Sequence, residues 1–478
     1  MEDVLNRPGA DVATEWLPGL AGERRGATKH KRLADGIIAD IDRGVLPPGA
    51  QLPPQRDLAQ RLGLSVQTVG LGYKEAERRG YLRGEVGRGT FVRSRVTERA
   101  DRFMLDRSPT GLVDLSIIRA AWLDAHEQAS RALMAEMAAS ENSVWMRPCR
   151  PIAGLARHRE AAARWLARLG VQAEPDRILV TGGAAHAVFL ALATVVRPGD
   201  LVLTECLTDH GVIGLASVLG YALRGLPCDA EGVLPDALAE ACAGGQATAL
   251  VLVPSLGNPT GHLAGAERRR QIADVARRHR LFVVEDEVCK PLLDTELPSI
   301  AGMLPELGFF ATSFTKSVMT GLRAGYLVVP PQFAMRTTSI LRVTSWSGVP
   351  AVAEMATRWV ESGAAAELLS LQRAEIRARQ EMVRDVLGAY VAGRHPLSLT
   401  AWLHVPERWT EEQLILALAA RGIAVTPSDP FVAGGEPRGG LRVAIGGRYT
   451  HEQLRAAFAT IRTTLAQVPP VHGVAGIA

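Results

Sequence analysis

An α/β body behind a small winged helix-turn-helix head is the fold that this 478-residue chain predicts. Three observations carry the prediction. From about Val113 onward, short apolar runs alternate with helix-length segments, and each run closes on Gly, Pro or a carboxylate. That is the signature of a mostly parallel sheet covered by helices. Ahead of it, residues 28–93 read as three helices and two short strands, rich in Lys and Arg. Between the two, residues 94–112 are charged, with Pro109 and Gly111 and no sustained apolar period, and read as a linker. Fully extended, such a linker reaches about 60 Å.

Composition bounds the possibilities. The length exceeds what one core organises and suggests two or three domains. With 47% apolar and 22% charged residues the chain is an ordinary globular one. The net charge of +4 conceals an asymmetry: residues 24–95 hold 15 Lys and Arg against 7 Asp and Glu, leaving −4 for the remainder. A basic segment of this kind favours a polyanionic partner. The five cysteines (Cys149, Cys206, Cys228, Cys242 and Cys289) form no CxxC pair, which speaks against a disulfide framework or a metal site and for a reducing compartment. The first 27 residues lack an apolar core and no run approaches the ~18 residues of a membrane span. The expectation is a cytoplasmic protein with no membrane and no metal.

The head is read in order. Lys29 to Arg43 places Leu33, Ile37, Ile38 and Ile41 on one face, and Gly44 with Pro47-Pro48-Gly49 stops it. Gln55 to Leu62 is a second short helix with Leu58 and Leu62 inward, and Gly63-Leu64 is a turn. Ser65 is placed to cap a third helix running to about Arg79, with Val69, Tyr73 and Ala76 inward. Gly80 to Arg83 and Thr90 to Val92 read as the two strands of a wing.

In the body, Ile178-Leu179-Val180, Leu201-Val202-Leu203, Ala249 to Val253 and Leu281 to Val284 read as buried strands. The part beyond about Val349 is helix-rich, then carries Trp402 to Val405 and Leu441 to Ile445, which suggest a smaller α/β subdomain. Four features fall in order along this body: Asn258-Pro259-Thr260-Gly261, Asp286 closing an apolar run, Ser313-Phe314-Thr315-Lys316, and Gly321-Leu322-Arg323. An amide, a carboxylate, an amine and a guanidinium in that order can hold pyridoxal phosphate (PLP). Each alone is ordinary, since Asn-Pro is common turn chemistry and a single Arg or Asp is more often an ion pair or a cap. The collinear set, with Arg442, is harder to explain by accident.

Residues 28–93 resemble the winged helix of the GntR family, through Leu46 to Pro53 with Arg56-Asp57-Leu58-Ala59, Leu64 to Val69, Gly80-Tyr81-Leu82 and Gly87 to Val92. The resemblance implies double-stranded DNA as partner, with Arg56, Ser65, Gln67, Thr68 and Arg88 as contacts. The family often has an arginine directly after the Ser65 position, where this chain has Val66; a guanine contact gives way there to a thymine-methyl contact. Residues 113–466 resemble a fold-type-I aminotransferase, and the pairing resembles the MocR/GabR subfamily of regulators.

That resemblance implies a Schiff base between Lys316 and PLP, Asp286 on the pyridine nitrogen and Asn258 on the ring's O3′. It also implies a phosphate cradle of Gly183, Ala184, Ala185, Ser313 and Arg323, and Arg442 on the carboxylate of an amine or amino-acid effector. It further implies a head-to-tail homodimer. Three positions depart from the pattern: Asp209 stands where a tyrosine stacks on the ring, Val288 and Cys289 where a second tyrosine reaches O3′, and Ala185 where glutamine is frequent. Losing the stack and one hydrogen bond weakens ring binding by ~1–3 kcal/mol. The expected function is therefore a PLP-dependent transcriptional regulator that senses an amine, an amino acid or PLP itself. The alternatives are a working aminotransferase with an attached DNA-binding domain, and a DNA-binding dimer that uses its body only as a scaffold.

Overall fold

The computed structural model describes residues 28–42, 45–46, 50–78, 81–85, 89–92, 112–140, 150–393, 395–434 and 439–469. Arg88, Cys149, the Pro47-Pro48-Gly49 stop and residues 94–111 of the linker lie outside these. The chain divides into two compact units between Leu105 and Asp106.

In the first unit, helices α1 (Lys29–Asp42), α2 (Gln55–Leu62) and α3 (Val66–Arg78) precede strands β1 (Leu82–Glu85) and β2 (Gly89–Val92). The helices end and begin where local chemistry demands it. α2 stops at Gly63, whose left-handed φ of 62° lets its N–H return to the carbonyls of Ala59 and Gln60. Two residues on, Ser65 Oγ accepts the Thr68 N–H at 3.1 Å and starts α3. Leu33, Ile37, Leu46, Leu58, Val69, Tyr73, Leu82 and Val92 close one small core. Tyr73 also donates its hydroxyl to the Pro53 carbonyl at 2.8 Å, tying α3 to the chain that enters α2. The strands pair antiparallel with Leu82 opposite Val92, so β1 begins two residues later than the sequence suggests.

The second unit is built on a seven-stranded sheet. Its strands are β4 (Ile178–Thr181), β5 (Leu201–Glu205), β6 (Ala222–Leu226), β9 (Ala247–Leu252), β10 (Phe282–Asp286), β11 (Gly308–Ser313) and β12 (Gly325–Val328), after a short β3 (Val113–Asp114). The small pair β7 (Cys228–Asp229) and β8 (Gly232–Val233) lies outside it. Among the described residues the order across the sheet is β4-β12-β11-β10-β9-β5-β6. All neighbours run parallel except β12, which is antiparallel to both β11 and β4. Residues of β4, β11 and β12 are buried throughout, as befits strands covered on both faces. One face packs on the helix Ala184–Val195 and the other on Pro235–Ala243 and Ala266–His279.

The direction of β12 decides where chemistry gathers. The carboxyl ends of β4, β5, β9, β10 and β11 lie at one edge, and the reversed β12 brings its starting end, with Arg323 just before it, to that same edge. Ligands of open α/β sheets bind at this edge.

The smaller subdomain has helices Pro350–Ser362 and Ala364–Leu387, separated by Gly363 at φ 87°. It continues with β13 (Thr400–His404), β14 (Ile423–Ala424), β15 (Thr426–Pro427) and β16 (Gly440–Ala444). β16 pairs antiparallel with both β13 and β15, with Arg442 opposite Trp402 and Thr426. β14 pairs with β3, so the chain entering this unit is stitched to the small subdomain. Among the described residues no helix is long and apolar enough to cross a membrane.

Candidate functional site

Lys316 follows β11 on a turn held by its neighbours. Phe314 is buried against Trp165 and Tyr326, with ring centroids 4.9 and 5.8 Å away. The Val318 and Met319 N–H groups both return to the Phe314 carbonyl. This anchors one side of the turn and leaves Lys316 half-buried. Its Nζ donates to the Ile118 carbonyl at 2.6 Å. Burial holds the amine below its ordinary pKa, against the opposing pull of Cys289 and Asp209. The lowering enlarges the share of neutral amine, the form that condensation with a carbonyl requires.

The run Glu285-Asp286-Glu287 is resolved by strand alternation. Glu285 and Glu287 point into the core, where the fully buried Arg269 binds both, at 3.2 and 2.7 Å. Asp286 lies on the opposite face of the strand, where the charges of Asp209 and Lys316 both act on it. Its Oδ1 accepts the Val288 N–H at 3.2 Å, and among the described residues it forms no ion pair. Burial, and next the charge of Asp209, push its carboxyl up to about 7. A carboxyl under that strain gains most from a cationic hydrogen-bond partner, which is what a protonated pyridine nitrogen supplies.

Asn258, Asp209 and Arg442 form a chain. The Asn258 amide nitrogen donates to Asp209 Oδ2 at 2.7 Å, and its oxygen accepts from Arg442 Nη1 at 3.0 Å. Asp209 uses its other oxygen to cap the helix His210–Leu219 through the Gly211 N–H at 2.7 Å. Burial would raise its pKa, but His210, the Asn258 amide and the Gly211 N–H overcome burial and hold the carboxylate ionised. Arg442 also donates to Thr426 Oγ1 at 3.1 Å and to the Ser116 carbonyl. Its guanidinium lies over the Phe431 ring, 4.7 Å from the centroid, and burial pulls its pKa down to about 10. Val288 is half-buried and Cys289 buried, so neither brings a phenol to this cluster.

At the end of β4, Gly183 stands at φ 99° before the helix Ala184–Val195. The first helical hydrogen bond runs from the Ala187 N–H to the Gly183 carbonyl at 3.1 Å. The amides of Ala184, Ala185 and His186 therefore precede the helix's own bonding, at the positive end of its dipole. Arg323 reaches over them, with Nη2 3.4 Å from the Gly182 carbonyl. A Cβ on Gly183 would stand 3.3 Å from Arg323 Nη2, and one on Gly325 only 2.6 Å from Gly183 Cα. Glycine is what lets guanidinium and helix start come this close. Ser313 is buried beside them and donates to Thr315 Oγ1 at 2.9 Å.

The sequence-derived set Asn258, Asp286, Lys316, Arg323, Gly183, Ala184, Ala185 and Ser313 thus comes together at one sheet edge, with Arg442 joined to it through Asn258. Sequence reasoning missed two contributors. Segment 116–118 supplies carbonyls to both Arg442 and Lys316, and its irregular backbone leaves no periodic signature. Phe431 packs under Arg442 and meets the His210 ring edge-on at 6.3 Å; only its place after Asp429-Pro430 hints at it.

In the head, Arg56 and Gln67 are exposed. Ser65 and Thr68 hydroxyls bond each other at 2.7 Å. They occupy the start of α3 as a cap, which limits what they can offer a base edge. Arg88 lies outside the described residues.

The donor set fits PLP: an uncompensated carboxyl, a lysine with lowered pKa, and a guanidinium above a glycine-flanked helix start. Together with the sheet order it defines the fold-type-I class of PLP-dependent proteins, joined here to a winged helix-turn-helix. Residues 119–461 match aminotransferase class I and II, and residues 29–92 match the gntR family of bacterial regulatory proteins. The chain belongs to the class I and II aminotransferase family and carries a gntR-type module in front of it, the MocR-type combination.

It is 28% identical over 454 residues to the HTH-type transcriptional regulator YdeF of Bacillus subtilis, covering 94% of this chain and 96% of that protein. It is 26% identical over 448 residues to the HTH-type pyridoxine biosynthesis transcriptional regulator PdxR of Corynebacterium glutamicum, covering 91% and 94%. Among solved structures it resembles LysN, an alpha-aminoadipate aminotransferase from Thermus thermophilus complexed with N-(5'-phosphopyridoxyl)-L-leucine. The TM-score is 0.66 and the identity 23%, with 74% of this chain and 92% of that one covered.

Proposed function

We propose that the protein is a transcriptional regulator that binds operator DNA through its head and holds PLP on Lys316 as the sensing element of its body. The single observation behind the sensing half is the half-buried Lys316 amine, lowered in pKa, sharing a sheet edge with Asp286 and Arg323. The gntR-type module and the full-length likeness to transcriptional regulators support the DNA half.

Bound PLP supplies an electrophilic carbonyl that primary amines enter reversibly. The chain's residues do the rest. Lys316 would hold the cofactor covalently through its amine. Asp286 keeps the pyridine nitrogen protonated, and the Gly183–Ala185 amides with Arg323 and Ser313 bind the phosphate. Asn258 orients the ring oxygen, and Arg442 grips an effector's carboxylate. The effector is an amino acid or amine, or PLP itself acts as the signal. It controls transcription by its different affinity for two arrangements of a head-to-tail homodimer in the cytoplasm.

The test is the visible spectrum. Purified protein with added PLP shows a Schiff-base absorption band that Lys316→Ala lacks; a wild-type protein without the band overturns the cofactor assignment. Multiple-turnover formation of a keto acid from amino acids would instead establish the aminotransferase reading.

A further inference from the structure

Helix α3 has two faces. Val69, Gly72, Tyr73 and Ala76 turn inward, and the opposite face carries Val66, Gln67, Gly70, Leu71 and Lys74. Val66 and Leu71 are each 46% exposed. Scattered exposed aliphatics are ordinary, but these two flank Gln67 on one face of a strongly basic module. Val66 adjoins Gln67, and Leu71 stands one turn beyond it.

What this face lacks is equally informative. Over residues 66–75, the turns that start the helix, this face carries no arginine, and its one cation there, Lys74, sits toward the far end. The Ser65 and Thr68 hydroxyls are spent on each other and on the Thr68 N–H. At Gly70 an added Cβ would stand 2.9 Å from Gln55 Oε1, so the absent side chain lets a second amide, from the first turn of α2, lie against the helix. The result is two aliphatic knobs and two amides, with the Arg56 cation set outside them on α2.

We infer that α3 reads an A·T-rich half-site, packing thymine 5-methyl groups against Val66 and Leu71 while Gln67 takes an adjacent adenine edge. This rests on the reading that α3 enters the major groove. In that groove the thymine methyl is the one apolar group a base pair presents, and adenine N6 and N7 match a carboxamide bidentately. Guanine, whose O6 and N7 call for a guanidinium or ammonium, finds neither beside Gln67 in the first two turns of α3, residues 66–72. The neutral centre and cationic margin also match a groove whose floor is uncharged and whose rims are phosphate.

The experiment selects binding duplexes from a randomised pool with the full-length protein, then replaces each selected thymine by deoxyuridine, which lacks only the methyl. The expected half-site is specified by A·T pairs. Uracil at two thymines weakens binding by about fourfold each, the worth of one buried methyl. Val66→Ala abolishes the difference at one of them and Leu71→Ala at the other, with the salt dependence of binding unchanged. A half-site specified by guanine, or equal binding of uracil and thymine duplexes at every position, overturns the inference. Binding without sequence preference overturns it while leaving DNA recognition standing, and absence of DNA binding overturns the reading beneath it as well.

Discussion

Asp209 and Asn258 are joined by a 2.7 Å hydrogen bond from the amide nitrogen to Oδ2, and through the amide oxygen the bond continues to Arg442. An ionised carboxylate therefore sits where the resemblance implies an aromatic ring. It acts electrostatically on Lys316 on one side and on Arg442 on the other.

This gives a first prediction. Asp209→Asn keeps an acceptor for Gly211 and removes the charge. A nearby negative charge stabilises the protonated form of a nitrogen, so the pH midpoint of the visible band on Lys316 moves down in this variant. Asp209→Ala additionally loses the cap of the helix His210–Leu219 and costs about 1 kcal/mol of stability. A pH titration of the spectrum checks the charge, and a midpoint that stays put removes Asp209 from the cofactor's environment.

Asp286 carries a pH signature of its own. In the PLP-free protein its carboxyl is pushed from 3.8 to about 7 by burial and by Asp209. Between those two values the folded chain holds a proton there that the unfolded chain does not, so stability falls as pH rises through the window. The contribution is full below about pH 4 and gone above about 7. The wild-type melting temperature, measured relative to Asp286→Asn in PLP-free protein, should decline from pH 5 to pH 8. Parallel curves for the two proteins would contradict the buried, unpaired carboxyl.

Much of this was legible in the sequence because it rests on period and punctuation. The limits of α2 follow from Pro53-Pro54 and Gly63, and the strands ending at Thr181, Glu205 and Asp286 announce themselves as runs of branched aliphatics. β6, β11 and β12 were not read, since Gly225 interrupts the first and Gly308 and Gly325 open the other two, and glycine reads locally as a turn. Of the site, residues whose chemistry is carried by type and order were found. Segment 116–118 was not, because it contributes backbone carbonyls, and any residue type provides those. The bond between Asp209 and Asn258 joins positions 49 residues apart, a distance that no local pattern spans.

Arg56 stands in the first turn of α2, beside Gln55, and is exposed. A cation so placed is suited to a phosphate rather than a base. Arg56→Ala should weaken binding to all duplexes alike and reduce the slope of log K against log salt by about one unit. Gln67→Ala, in contrast, should relax preference at one position of each half-site and leave the slope alone. Electrophoretic mobility or anisotropy titrations at several salt concentrations separate the two. An unchanged slope for Arg56→Ala takes it off the list of phosphate contacts.

Arg269 holds the floor of the cofactor site from below. It is fully buried, and its five donors are all directed: Nε to the Ala264 carbonyl at 2.9 Å, Nη2 to the Pro254 carbonyl and Ser255 Oγ at 3.1 and 2.8 Å, and Nη1 to Glu285, Glu287 and the Pro298 carbonyl. Burial alone would raise the pKa of Glu287, and Arg269 overcomes this to keep it ionised. Removing one partner of such a group strands the others in a low-dielectric interior, so Arg269→Ala should cost about 3–5 kcal/mol. Arg269→Lys should rescue little, because a single ammonium cannot address the acceptors spread around the edge of the planar guanidinium. The strand that presents Asp286 would then lose the anchor that turns its two neighbouring glutamates inward, and PLP affinity should fall together with stability. Denaturant titrations with and without PLP measure both quantities, and a midpoint shift worth less than about 1 kcal/mol would show that the two glutamates find other support.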